Sequence, residues 1–271
     1  MDKEFVNDPA RLEIKHISVG YDDDPVLQDV TFDVPHGARV AIVGPNGAGK
    51  STLFKALVGL LPLSTGEIFI HSRPLGHHLD CVAYVPQRGE VDWQFPATVA
   101  DVVMMGRFGG MSWLAAPRRE DWDVVHTSLE QMGIDDLAKK HIGDLSGGQQ
   151  QRVFLARALA QEPHIFLMDE PFTGVDSTTQ EATLNLLDHL REELVTVLIS
   201  THNLNLAATR FDSVLLLNRY IYGYGKSEDI FTTDLLSKAF GSHVIETEDT
   251  NILVDDCCPP GEEQHAHKEE N

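Results

Sequence analysis

Positive charge is scarce in this chain. Lys and Arg number 21 against 42 Asp and Glu, a formal net charge of −21 at pH 7. Such a surface repels a phosphate backbone and matches anionic lipid poorly. No nucleic acid partner is therefore expected, and a place at a membrane would have to come through a protein. Cysteine is scarcer still: Cys81 and the adjacent Cys257-Cys258 are the 3 present. They make no disulfide framework and suit a reducing compartment. No uninterrupted apolar run approaches the ~18 residues that a membrane span needs. The charged start Met1-Asp-Lys-Glu4 has no apolar segment behind it, so no secretory signal is expected. No internal repeat is visible.

What the chain does have is a core's worth of apolar residues, 42% of 271, enough for one large domain or one and a half. Arg11–Ser18 and Val26–Val34 alternate as strands around a turn at Asp22–Pro25. Ala38–Val43 is a short β-branched run, and Lys50–Gly59 carries Phe54, Leu57 and Val58 on one helical face. Glu67–Ile70 and Cys81–Val85 read as further strands. Between Gln87 and Leu145 helical patterns dominate (Thr98–Met105, Glu120–Met132, Ile134–Lys140), broken by a Gly-rich loop at Gly106–Gly110 and by Trp113–Pro117. Alternation then resumes: helix Gly147–Ala160, strand His164–Met168, helix Ser177–Arg191, strand Thr196–Ser200. The expected fold is α/β with an antiparallel N-terminal part and a helical insertion.

Gly44-Pro45-Asn46-Gly47-Ala48-Gly49-Lys50-Ser51 follows a strand and opens a helix, the context a phosphate-binding loop requires. With Thr52, these residues form the candidate nucleotide cradle. Glycines let backbone N–H groups approach phosphate, Lys50 reaches the β- and γ-phosphates, and Ser51 offers its hydroxyl to Mg²⁺. Downstream, Ile165-Phe-Leu-Met-Asp169-Glu170 is an apolar run ending in two carboxylates. A buried parallel strand carries such acids to the sheet's carboxyl edge, with Asp169 suited to Mg²⁺ and Glu170 to activating a water. These two elements occur in many nucleotide hydrolases.

A third element narrows the reading. Leu145-Ser146-Gly147-Gly148-Gln149 resembles the signature of the ATP-binding-cassette (ABC) ATPases. Physically it is a second anion site, a hydroxyl and glycine N–H groups at the start of a helix. The resemblance covers roughly residues 11–240. It implies a P-loop NTPase core with an N-terminal antiparallel β subdomain and an inserted α-helical subdomain at about 88–160, the whole domain spanning 1–245. It also implies that Ser146, Gly147, Gly148 and Gln149 bind ATP held by a second copy, head to tail. By the same resemblance Tyr21 stacks on adenine, and Gln87 touches Mg²⁺ and the water. Asp176, in Pro171–Asp176, faces the opposite protomer, and His202 contacts the γ-phosphate. ATP and Mg²⁺ are the implied cofactors, and ATP hydrolysis coupled to transport the implied activity. Two departures stand out. Asn203 follows the histidine where the family often has Asp, and Thr173-Gly-Val-Asp176 replaces the common Ser-Ala-Leu-Asp.

Gln87–Val99 with Asp92-Trp93, Met105–Gly109, and Glu170–Asp176 look like the metal-ion branch of importer cassettes. That likeness implies manganese, zinc or chelated-iron uptake, in that order. It implies integral membrane permease subunits, an extracytoplasmic metal-binding protein acting indirectly, and a place on the cytoplasmic side of the inner membrane. A soluble non-transport ABC ATPase is the alternative, as is a module that binds ATP without hydrolysing it. Residues 246–271 read as a disordered acidic tail in which Cys257, Cys258, His265 and His267 could hold a metal or serve only solubility.

Overall fold

A computed structural model describes residues 11–21, 24–76, 79–87, 89, 95–111 and 116–241, with backbone alone for 244–246 and 252–254. The strands are β1 (Leu12–Tyr21), β2 (Asp24–Val34), β3 (Arg39–Val43), β4 (Thr65–Ile70), β5 (Arg73–Pro74), β6 (Val82–Val85), β7 (Ile165–Asp169), β8 (Thr196–Thr201), β9 (Ser213–Asn218), β10 (Tyr220–Gly225), β11 (Val244–Glu246) and β12 (Ile252–Val254). The helices are α1 (Lys50–Leu57), α2 (Val99–Met104), α3 (Arg119–Gln131), α4 (Gly147–Ala160), α5 (Ser177–Glu192), α6 (Leu204–Arg210), α7 (Ser227–Ile230) and α8 (Thr233–Phe240). No helix among the described residues is long and apolar enough to cross a membrane.

Two sheets organise the molecule. One is antiparallel, in the order β2-β1-β4-β5; the other runs β10-β9-β3-β8-β7-β6, parallel except for β10 at its edge. Every residue of β3, β7 and β8 is buried, as a parallel sheet covered on both faces demands. Alternate residues feed two separate cores. Ala41, Phe166, Met168, Val197 and Ile199 face the side of α4 and α5. Val40, Ile42, Ile165, Leu167 and Leu198 face α1 and the antiparallel sheet. Phe54, fully buried on α1, joins the second core; truncating such a residue to Ala typically costs about 3–5 kcal/mol.

The helical part between β6 and β7 differs from the sequence reading at two points. Ile134–Lys140 is not a helix, only a 3₁₀ turn at Asp135–Leu137. The chain stops at α3 because Gly133 takes φ +60°, its N–H bonds Glu130 O, and Ile134 N–H bonds Leu129 O. That is a Schellman end, with Ile134 and Leu129 both buried beside it. Conversely, Gly106–Gly110 is not an irregular loop: Met105–Gly110 continues α2 as a 3₁₀ helix. Arg107 fixes it through Glu162 Oε2 at 2.6 Å, Ala160 O at 2.8 Å and Asp121 Oδ1 at 3.3 Å.

The sequence-predicted turn residues 22–23, Asp92-Trp93, Trp113 and the tail's Cys257, Cys258, His265 and His267 lie outside the described residues. Within the acidic segment, β11 pairs with β12 in a short hairpin.

Candidate nucleotide site

The carboxyl ends of β3, β7 and β8 converge. From β3 the chain turns through the Gly44–Gly49 loop into α1, whose N-cap Gly49 sits at φ +97°, a left-handed conformation natural only to glycine. A side chain there would also strike Leu27 of β2. Lys50 points back across this loop. Its Nζ donates to Gly44 O at 2.9 Å and Pro45 O at 3.1 Å, and it lies 3.7 Å from Glu170 Oε1. Ser51 is half-buried and Thr52 buried, while Asn46 and Gly47 are exposed. The loop thus presents backbone to solvent while its lysine stays inside.

Across the sheet, Asp169 is the last residue of β7, almost wholly buried, and accepts a hydrogen bond from Ser200 Oγ at 2.5 Å. The parallel register puts Ser200 directly beside Asp169. The same Ser200 Oγ accepts from Glu170 N–H at 2.8 Å. Glu170 sits at φ +46°, a strained conformation for a non-glycine residue, of order 1–3 kcal/mol. Ser200, together with Thr173 Oγ1 donating to Glu170 Oε2 at 3.2 Å, holds it there. Sequence reading passed over Ser200, which only the pairing of β7 with β8 brings beside Asp169. His202 follows β8 at the same edge, with Nδ1 3.9 Å from Glu170 Oε2. Gln87 lies two residues beyond the Val85–Met168 pair, as Glu170 does, and is exposed. Asn203 replaces Asp without loss of the local contact: its Oδ1 accepts from Leu206 N–H at 2.9 Å and caps α6.

The Ser146–Gln149 element is built differently. Ser146 caps α4, with Gln149 N–H donating to Ser146 Oγ at 3.3 Å and Ser146 N–H to Gln149 Oε1 at 3.0 Å. Among the described residues no hydrogen bond or ion pair joins Ser146 or Gln149 to Lys50 or Glu170. Gly148 instead brings the start of α4 against the start of α5: a Cβ there would lie 2.5 Å from both Asp176 Oδ2 and Thr179 Oγ1. Asp176 caps α5 through Thr179 N–H at 2.8 Å, and that hydrogen bond holds its carboxyl below the usual range. Tyr21 ends β1 and is exposed. The structure therefore gathers Lys50, Asp169, Glu170 and His202 at one edge, and Ser146–Gln149 with Asp176 at another.

A phosphate loop at the carboxyl edge of a parallel sheet, facing a strand-end acid pair, defines a P-loop nucleotide hydrolase. The ABC transporter family model matches residues 27–173, and the chain belongs to that family, as an ATP-hydrolysing, nucleotide-binding subunit. It is 44% identical over 238 residues to the manganese transport system ATP-binding protein MntB of Bacillus subtilis, covering 88% of this chain and 95% of that protein. It is 44% identical over 236 residues to the zinc transport system ATP-binding protein TroB of Treponema pallidum, covering 87% and 89%. Among solved structures, the ATP binding subunit of an ABC transporter superposes with a TM-score of 0.71 at 28% identity, covering 81% and 91%. ABC ATPases of this kind work with membrane permease subunits, and that association is what places them at the membrane. The soluble, non-transport alternative does not fit relatives that are transport-system subunits.

Proposed function

We propose that this chain hydrolyses ATP to power uptake of a transition-metal ion through a separate membrane permease. Manganese is the first candidate cargo, with zinc and then chelated iron behind it. The observation that carries the hydrolytic reading is the placement of Glu170 Oε1 and Oε2 3.7 Å from Lys50 Nζ and 3.9 Å from His202 Nδ1. The cargo reading rests on the similar proteins, named for manganese and zinc transport. It draws on no residue of the nucleotide site, because the ATPase need not touch the ion.

Phosphate oxygens replace Gly44 O and Pro45 O around Lys50, exchanging neutral acceptors for anionic ones and so strengthening each hydrogen bond. The loop N–H groups from Gly44 to Thr52 receive the remaining oxygens. Ser51, Gln87 and Asp169 offer oxygen donors that suit a hard cation, so these residues would hold Mg²⁺. When bound it neutralises charge on the phosphates. Glu170 takes the proton of the attacking water, and His202 contacts the γ-phosphate from the other side. Ser200 is a positioning residue, acting through the two acids it hydrogen-bonds. Tyr21 stacks on adenine.

Two chains pair head to tail. Ser146, Gly147, Gly148 and Gln149 of one copy complete the site that Lys50 opens on the other, with Asp176 at the seam. The permease docks against the Gln87–Arg107 region, from the cytoplasmic side of the inner membrane, and an extracytoplasmic metal-binding protein delivers the ion. Nucleic acid has no part in this scheme, given a net charge of −21.

The test is accumulation of manganese, zinc and iron, measured together, in cells lacking this chain and complemented with wild type or Glu170→Gln. Wild type should restore one metal and the variant none. Equal accumulation of all three metals in every strain, with the purified protein active as an ATPase, would overturn the cargo reading.

A further inference from the structure

A second cluster of coordinating side chains lies at the other end of the core sheet. His71 follows β4, Cys81 immediately precedes β6, and His164 immediately precedes β7. Their candidate ligand atoms all lie within 4.8 Å of one another. His71 Nε2 is 3.0 Å from His164 Nδ1, with the rings edge to face at 80°. His71 is 4% exposed, whereas Cys81 and His164 are half-buried, so the cluster has one dry wall and one side that solvent reaches. The backbone fixes all three: His164 N–H donates to Cys81 O at 2.8 Å, and His71 N–H to Arg11 O at 3.1 Å.

We propose that His71, Cys81 and His164 form a zinc-binding site at the seam between the antiparallel and core sheets, with a fourth position left to solvent. Tetrahedral zinc with Zn–N near 2.05 Å sets its nitrogen ligands about 3.3 Å apart and its nitrogen and sulfur about 3.6 Å apart. The two imidazoles already meet the first spacing to within about 0.3 Å, and the farthest pair closes by no more than about 1.2 Å. Two imidazoles and a thiolate are borderline-soft donors. They favour zinc over manganese, which prefers oxygen and binds most weakly among the first-row divalent ions.

Burial next to Asp80 pushes the Cys81 thiol up to about 11, against the lowering effect of Arg11. Burial, with Arg11 and His36 nearby, lowers His164, which keeps that imidazole neutral and able to ligate at neutral pH. Binding zinc therefore releases one proton, from the thiol. The proton shared between His71 Nε2 and His164 Nδ1 moves to the far nitrogen of its own ring. The thiolate then offsets one of the metal's two positive charges, leaving the site at a net charge of +1 that the solvent-reached side can accommodate.

The site is distinct from the Mg²⁺ position of the nucleotide site. It lies at the start of β7, His164 being five positions before Asp169, about 16 Å along extended strand. Zinc here would clip β4 of one sheet to β6 and β7 of the other. The assignment is independent of which ion the transporter carries.

The experiment uses the reduced, chelator-stripped full chain, titrated with zinc against a competing indicator, and with cobalt as a spectroscopic probe. The same is done for Cys81→Ser, His164→Gln and the double variant Cys257→Ser/Cys258→Ser. The tail variant should keep the site, with its thiolate-to-cobalt charge-transfer band. Cys81→Ser should lose that band and weaken zinc binding on the order of 100-fold or more, since loss even of an outer partner costs 10–100-fold. His164→Gln should keep the band but weaken binding comparably, which covers the case where Cys81→Ser fails to fold. Manganese at the same concentration should not displace zinc. Unchanged zinc affinity in Cys81→Ser and His164→Gln would overturn the proposal, as would a cobalt band that follows Cys257 and Cys258.

Discussion

At the carboxyl edge of the core sheet, Glu170 lies within 4.0 Å of both Lys50 and His202 and is held by Ser200 and Thr173. At the start of α4, Ser146 and Gln149 hydrogen-bond to each other and, among the described residues, to nothing in that edge. The first region is assembled inside one chain from three strands. The second is a finished helix cap whose donors are turned inward on one another. The difference teaches what the proposed two-copy scheme asks of each region. The strand-edge side chains already converge within one chain, whereas Ser146 and Gln149 would give up their mutual hydrogen bonds to reach a ligand held by another copy.

The sharpest way to break this comparison is Glu170→Gln. It should lower ATP hydrolysis by about 10²–10⁴-fold, the usual contribution of a general base, while ATP-dependent pairing persists in size-exclusion chromatography. Hydrolysis at the wild-type rate would remove Glu170 from the chemistry. The next test mixes chains. Lys50→Ala and Ser146→Arg should each be inactive alone, yet an equimolar mixture should recover hydrolysis, because one of the two shared sites is then intact. No recovery would mean that the two regions do not meet across copies.

Ser200→Ala separates positioning from contact. Phosphate release should fall by roughly tenfold in kcat with KM little changed, the scale of one or two lost hydrogen bonds. Gly148→Ala probes the other region. Its new methyl meets Asp176 and Thr179, and overpacking of this kind costs about 1–3 kcal/mol, to be read as a lowered Tm. The smallest effect is acid sensitivity. Asp101, Asp121 and Asp176 cap helices and are each lowered from 3.8, mainly by hydrogen bonds to Thr98, Arg118 and Thr179 respectively. A depressed carboxyl contributes stability above its unfolded pKa and loses it as pH falls through the folded one. Tm should therefore begin to drop near pH 3.8 and continue below it, and less steeply in Asp176→Asn.

Much of this was legible in the chain itself. The loop Gly44–Ser51, the acid pair Asp169-Glu170 and the Ser146 element all read as local patterns, because each function depends on neighbours in sequence. Gly147–Ala160 read as a helix within the resumed alternation of strands and helices. What did not read depended on tertiary contacts or on ends. Ile134–Lys140 has helical spacing at Ile134 and Leu137, but the Schellman end at Gly133 leaves too short a stretch to propagate. Gly106–Gly110 looked like a loop because nothing in it forecasts that Arg107 will bind Glu162 and Ala160 O far downstream. Ser200 was invisible as a site residue until β7 and β8 were paired in register. The His71, Cys81 and His164 cluster is likewise scattered along the chain and gathered only by the sheets.

β3 has a consequence for motion. All five of its residues are buried, and it pairs with β8 on one side and β9 on the other. Amide hydrogens in such a strand exchange with solvent only when the whole domain opens, whereas those of the exposed Asn46-Gly47 stretch exchange freely. The protein thus hangs an exposed loop directly from a fully buried strand, and deuterium uptake should step abruptly between Val43 and Gly47.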